Sequence, residues 1–425
     1  MKCTSSFQLY AFMNYKEIKI RCIHTLNMQN EDKFYAPQLG SLLKKGSEMY
    51  PLEGLKVIEI ARVLAGPWIG QTLADLGAEV TKVESPDGDD TRNWGPNYIK
   101  KGKDNSAAYF HSTNRGKQGV TVDFNDPKRL SYLKELISSA DVLIENFKVG
   151  SLEKFGLDFS TLSATNPRLI YCSVTGFGQD GPRAHKAGYD FMIQGMTGIM
   201  DITGEPDGMP QKVGVAFADI FTGLYGVIGI QAALAQRERT GTGQHIDMAL
   251  FDCMLAAQAN QNLNYLSTGH SPERMGNAHP SIVPYQVFPV ADGHIVIACG
   301  NNRQFHNLAH ALDRQDWINN PIFADNLTRI LNRSEVVSQI TQQLSTWNKL
   351  EVLSSLEAAG VPSGPINTVA EALEDPQTLY RGMRITPEGI PGVRTPIKFS
   401  DSSLQLERAA PGLGEHNNSD DLEPD

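Results

Sequence analysis

From Leu55 onward, apolar positions come in short runs separated by helix-like stretches. LKVIEIA reads as a buried strand, AGPWIGQTLADLG as a turn and helix opened by Gly66 and Pro67, and AEVTKVE as a second strand. That is a βαβ unit. GVTVDF predicts a further strand, and DPKRLSYLKELISSA a helix with Asp126 as cap and Pro127 in its first turn. DVLIENF and RLIYCSVTGFG predict two more strands. Strands alternating with helices imply a mostly parallel, doubly wound sheet.

KVGVAFADIFTG, residues 212–223, then sets one acid, Asp219, between two apolar runs. An aspartate there reads as a helix N-cap, since its oxygens accept the free N–H groups of a first turn. A fixed, ionised carboxylate also suits a nucleophile. The following helix carries Gly223, Gly226 and Gly229, which cost it about 1 kcal/mol each. Their spacing predicts close backbone packing, within the chain or at an oligomer interface. Near residue 270 the pattern changes to the loop HSPERMGNAHPSIVPYQ, then to two strands in VFPVADGHIVIACG with a turn at Asp292-Gly293. Residues 303–360 read as helical, GVPSGPIN as a loop, and the end as short strands closing on an acidic tail.

Composition narrows the function. The chain has 425 residues and a net charge of −10, without a basic block, which argues against nucleic acid as a partner. No run of eighteen apolar residues predicts a membrane span. Cys3, Cys22, Cys172, Cys253 and Cys299 are scattered and form no CxxC, so neither a disulfide framework nor a metal site is expected. A reducing compartment follows, the cytoplasm, or the mitochondrial matrix if residues 1–48 are a presequence; a non-native or disordered extension is the other reading of those residues. Glu84 ends the second strand where a dinucleotide-binding fold places its ribose acid. The first turn, RVLAGPWIG, lacks GxGxxG, so Glu84 reads instead as a solvated strand end.

Nine segments in order, PLEGLKVIEIARVLAGP, DLGAEVTKVE, GDDTRNWGP, NRGKQGVTVD, DVLIENF, GFGQDGPRAHKAGYD, VGVAFADIFTGLY, TGTGQHIDMAL and GVPSGPIN, carry a resemblance over about residues 51–415. The chain resembles the class III CoA-transferases, a family that includes formyl-CoA transferase, carnitine CoA-transferase and α-methylacyl-CoA racemase. The resemblance implies an α/β fold, a Rossmann-like large domain with a smaller inserted domain, in an interlocked homodimer. Its boundaries would be residues 49–265, 266–365 and 366–425. It implies coenzyme A or acyl-CoA as substrate, with no cofactor held permanently, and a carboxylic acid as the second substrate.

The resemblance makes Asp219 the nucleophile, with Tyr189 beside the thioester and Gly276 in a loop over the site. It carries CoA contacts to Leu64, Ala65, Val122, Asn146, Phe147, Lys148, Lys154 and Tyr189. Ser85 and Asn125 stand where the family has basic residues, so Lys117 or Arg115 is expected at the 3′-phosphate. Racemases of the family place a His before the Asp of their GHD segment; here Tyr189 occupies it, which removes one of two proton-exchanging bases. Transfer is therefore expected over racemisation, with a non-catalytic CoA-binding protein as a third reading. GDDTRNWGP, AHPSIVPYQ and ACGNNRQF look most like the branch that pairs succinyl-CoA with dicarboxylates such as glutarate. A free second carboxylate calls for a cation, with Arg92 and then Arg303 as candidates and His279 as a further contact.

Overall fold

Six short runs become one sheet: β1 (Lys56–Glu59), β2 (Glu79–Glu84), β3 (Gln118–Thr121), β4 (Val142–Glu145), β5 (Ile170–Thr175) and β6 (His245–Ala249). In this computed structural model they lie in the order β3-β2-β1-β4-β5-β6, every neighbouring pair parallel. The chain winds outward from β1, returns to β4, and winds out the other way. Loops leaving the C-terminal ends of β1 and β4 therefore diverge, and a crevice opens between them.

The structure describes residues 11–14, 17–20 and 49–417. The chain divides into two compact units, Met1–Glu48 and Met49–Asp425. In the first, Ala11–Asn14 and Glu17–Ile20 form an antiparallel hairpin. The rest of the expected extension lies outside the described residues, as does the acidic end from residue 418.

Both faces of the sheet are covered, as a parallel sheet requires. On one side lie helices α1 (Ala65–Asp75) and, farther along the chain, α5 (Phe217–Thr240), where Ile69, Leu73, Ile230 and Ala233 meet Val57, Ile144, Ile170 and Cys172. On the other lie α2 (Pro127–Ser138) and α3 (Phe159–Thr165), where Leu133, Ile137 and Leu162 meet Ile58, Val120 and Leu143. Alternate residues of β1 thus feed opposite cores. Asp126 caps α2 through Lys128 and Arg129 N–H, with Pro127 in the first turn, as predicted.

A separate core is built from residues 283–361, centred on Phe288, Ile295, Phe305, Trp317 and Leu356. Its strands β7 (Tyr285–Val290), β8 (Gly293–Ala298) and β9 (Ser363–Pro365) are antiparallel. Gly293 pairs with Val290, so the turn is Ala291-Asp292, one residue earlier than predicted. Asp292 instead accepts Lys349 N–H at 2.7 Å, which ties the hairpin to the helix beginning there.

Helix α5 has 24 residues and a mean hydropathy of 1.4, long and apolar enough to cross a bilayer by length and composition. Its glycines have an intrachain use. A Cβ on Gly223 would lie 3.1 Å from Ala65 O and 2.9 Å from Trp68; on Gly226 it would lie 2.4 Å from Ile69 Cδ1. Within the chain Gly223 and Gly226 thus face α1, and Gly229 faces Ile246 of β6. In Gly223→Ala, the helix-propensity gain of about 1 kcal/mol opposes an overpacking cost of about 1–3 kcal/mol against backbone. A lower Tm is expected, read by calorimetry.

Candidate active site

The crevice is a cavity of about 380 Å³. Its walls are the exit of β1 (62–65), the exit of β4 (146–149 and Ser151), the end of β5 (174–176), the loop 184–189, Asp219 and Leu250. Asn146 joins the first two walls: its Oδ1 accepts Arg62 N–H at 2.9 Å and its Nδ2 donates to Arg62 O at 2.7 Å. The third wall is fixed by glycine. A Cβ on Gly176 would lie 2.6 Å from Gly188 Cα, so the two backbones touch and only hydrogen fits between them. That contact places the next residue, Tyr189, at the cavity wall, where it is 62% exposed.

Asp219 lies in the first turn of α5. The cap position is Ala216, which offers no side-chain oxygen. Asp190, the first residue of α4 (Asp190–Met196), accepts Ala218 N–H at 2.8 Å instead. The N-cap reading of Asp219 is thus corrected: Asp190 supplies that contact from another helix. Among the described residues nothing donates a hydrogen bond to the Asp219 carboxylate. Burial, and then the charge of Asp190, push its pKa up to about 7. Tyr109, half-buried, feels the same acids: burial first, then Asp219, Asp190 and Asp89, hold its phenol up at about 12. It stays a neutral hydroxyl near Asp219. Sequence reasoning missed it because its segment, AAYFHST, carries no recognisable pattern.

The basic side chains of the cavity are Arg62, Lys148, His185 and Lys186. Arg62 meets Asp90 at 3.3 Å on the exposed surface, a contact of little energetic weight. Among the described residues no carboxylate pairs with the other three. Lys148 belongs to the expected set; the basic pair His185-Lys186, four and three residues before Tyr189 in AHKAGYD, does not.

Of the expected contacts, Leu64, Ala65, Asn146, Phe147, Lys148, Tyr189 and Asp219 share this cavity. Others do not reach it. Val122 is buried in the core against α2. Lys154 is exposed and lies 4.6 Å over the Phe155 ring, outside the lining. Gly276 donates its N–H to Gly204 O and packs against Glu205. His279 accepts Ser281 N–H through Nδ1 and leans on Tyr285. Arg303 is exposed at the start of the helix Asn302–Ala311.

Three cations are corrected outright, because buried acids already hold them. Arg92 is 5% exposed and uses all five of its donors, on Glu84 twice, Asp104, Ser106 and Pro411 O. It has none left for a substrate carboxylate. Glu84, its partner, is accordingly buried rather than solvated. Lys117 is fully buried on Glu59, Asn114 and Pro67 O. Arg115 pairs with Asp75 at 2.6 Å.

Comparison with known proteins gives this geometry its context. Residues 52–417 match the family described as CoA-transferase family III. The chain belongs to that family. It is 52% identical over 374 residues to succinate–glutarate CoA-transferase of Agrobacterium fabrum, covering 86% of this chain and 94% of that protein. It is 39% identical to succinyl-CoA:glutarate CoA-transferase of Homo sapiens, covering 86% and 84%. A crystal structure of a CAIB/BAIF family protein from Brucella suis superposes with a TM-score of 0.80 at 58% identity, over 86% of this chain and 97% of that one. This CoA-transferase therefore presents its family's α/β architecture with a large parallel sheet.

Two outcomes test the geometry. A carboxyl whose folded pKa of about 7 exceeds its unfolded value of about 3.9 stabilises the fold most below the lower value, and loses that stability as pH rises through the upper one. Asp219→Asn removes the ionisable group. Its Tm should exceed the wild type's by about 2–4 °C at pH 8, and the gap should close toward pH 5. In Gly176→Ala, the displaced loop should lower kcat at least tenfold in steady-state assays while the protein stays folded by circular dichroism.

Proposed function

We propose that this CoA-transferase moves CoA from succinyl-CoA to a dicarboxylic acid of glutarate's size, through covalent intermediates on Asp219. The observation that carries the reading is the Asp219 carboxylate itself: it faces the cavity, takes no hydrogen bond from the described residues, and is poised near pH 7. A partly desolvated carboxylate without hydrogen-bond partners is a better nucleophile than a capped one.

The steps balance. An Asp219 oxygen attacks the donor thioester carbonyl and CoA thiolate leaves, giving an aspartyl–acyl anhydride. The thiolate attacks the aspartyl carbonyl of that anhydride; the donor acid leaves as its carboxylate, and an aspartyl-CoA thioester remains. The acceptor carboxylate attacks this thioester and the same two steps run in reverse. Each attack develops an oxyanion that preplaced N–H and O–H donors stabilise, and the Tyr189 and Tyr109 hydroxyls lie on this side of the molecule. Arg62, Lys148 and Lys186 supply positive charge for the CoA phosphates in place of the expected Lys117 or Arg115. The names of the Agrobacterium fabrum and Homo sapiens relatives support the succinyl and glutarate assignment.

The working form in this reading is an interlocked homodimer, with residues 266–365 as a small domain between the parts of the large one. Exposed Leu224, Tyr225 and Ile228 on α5, and Leu263 and Leu266 beyond it, give a second copy apolar surface to cover. Gly276, His279 and Arg303 stand away from their own chain's cavity, as residues serving a partner's cavity would.

Incubation with succinyl-CoA and a panel of acids, read by mass spectrometry, tests the proposal. Glutaryl-CoA should form, with a hydroxylamine-sensitive adduct on Asp219. Asp219→Asn should lose both, at least a thousandfold in kcat, and the wild type's kcat/KM should fall below pH about 7 as the carboxylate protonates. CoA bound without exchange, together with solvent deuterium entering the α-carbon of a 2-methylacyl-CoA, would overturn transfer in favour of racemisation.

A further inference from the structure

Val63 lies in the cavity wall with φ of +72°, in the left-handed region. A β-branched residue disfavours that conformation strongly, so the surroundings must hold it there. Asp89 supplies the hold. Both of its carboxylate oxygens accept Val63 N–H, at 3.3 and 3.2 Å. Asp89 is fully buried and is itself oriented by Thr91 N–H at 3.0 Å, the Thr91 hydroxyl at 2.8 Å and Lys82 Nζ at 3.1 Å. The same Lys82 ammonium donates to Ala61 O at 2.9 Å. One buried ion pair therefore grips the chain at residues 61 and 63, while Asn146 grips residue 62 from the other side. Directly after this turn α1 begins, with Leu64 as a cap that supplies no side-chain oxygen, and Leu64 and Ala65 line the cavity together with Asp219.

We propose that Asp89 is a positioning residue of the transfer reaction: by clamping Val63 in the left-handed turn, it sets the backbone at the start of α1 against the reacting centre. This rests on the assignment of the covalent chemistry to Asp219. The clamp touches no substrate. Its loss should misplace backbone that meets the transition state and leave most of the acyl-CoA binding surface intact, lowering kcat more than it raises KM.

The test is a double-mutant cycle on the full-length protein with succinyl-CoA and glutarate. Asp89→Asn should lower kcat at least tenfold and change the KM for acyl-CoA less than threefold. Val63→Gly supplies the other single variant of the cycle, because glycine adopts positive φ freely and needs no clamp to hold it. In the double variant, glycine no longer needs the clamp, so kcat should recover at least threefold over Asp89→Asn alone. A purely structural role would lower Tm and the yield of active sites, without a kcat change per titrated site and without rescue, and that result would overturn the proposal. If Asp89→Asn fails to fold, Thr91→Val removes the hydroxyl that orients the carboxylate. It should show the same split in kcat and KM at reduced size, and wild-type kinetics there would overturn the clamp. Absence of transfer by the wild type would overturn the Asp219 reading and the clamp together; transfer by the wild type with unchanged kcat in Asp89→Asn would overturn the clamp alone.

Discussion

The buried ionic cluster at the edge of the crevice is what the neighbouring structure depends on. Glu59 ends β1, Lys82 lies in β2, Asp89 follows β2, and Lys117 precedes β3; all four are fully buried. Lys117 sits 2.7 Å from Glu59 Oε2, and Lys82 reaches both Glu59 and Asp89. Two ammonium and two carboxylate groups thus balance where the side chains have no exposed surface. Such charges repay their desolvation only when every member is paired, so loss of any one strands the others. The Lys117 pKa, pulled down to about 8 chiefly by burial, shows how narrow that balance is. Through Pro67 O and Ala61 O the cluster also holds α1 and the exit of β1. The position of the crevice wall is thereby fixed by electrostatics beneath it.

The cluster also explains which cations are available to a ligand. Arg92, Arg115 and Lys117 look attractive in the sequence because they sit in the motif segments GDDTRNWGP and NRGKQGVTVD. In space each faces an acid buried with it, and a guanidinium that has spent all its donors cannot bind a second carboxylate. The basic side chains left over stand on loops that line the crevice: Lys148 after β4, and His185 and Lys186 before Tyr189.

The same contrast sets how much was legible beforehand. The parallel sheet was readable because its strands are doubly buried and its helices amphipathic, a pattern local in sequence. Leu64, Ala65, Asn146, Phe147 and Lys148 of the Asp219 cavity were readable through the family resemblance of their segments. Tyr109 was not, because its approach to Asp219 is a product of long-range packing. The pairing of Arg92 with Glu84 spans eight residues and carries no signal that separates it from two solvated side chains. Gly276, His279 and Arg303 belong to the part of the chain outside the main sheet, where no strand order constrains them.

The placement of Asp219 resolves a competition between two physical effects. A helix N-terminus favours a carboxylate by about 1 kcal/mol or less at an ordinary site. Burial moves the Asp219 pKa from 3.8 to about 7, and at about 1.4 kcal/mol per pH unit that outweighs the helix several times over. A capping hydrogen bond would have tilted the balance back, by solvating the anion and holding its oxygens. Asp190 prevents this. It takes the Ala218 N–H for itself and adds its own negative charge nearby. One residue thus removes the stabilising contact from Asp219 and raises the cost of its ionisation. The acid between the two apolar runs is in the right place for a cap, and the fold has given the cap to a neighbour, leaving the carboxylate underused by structure and open to chemistry.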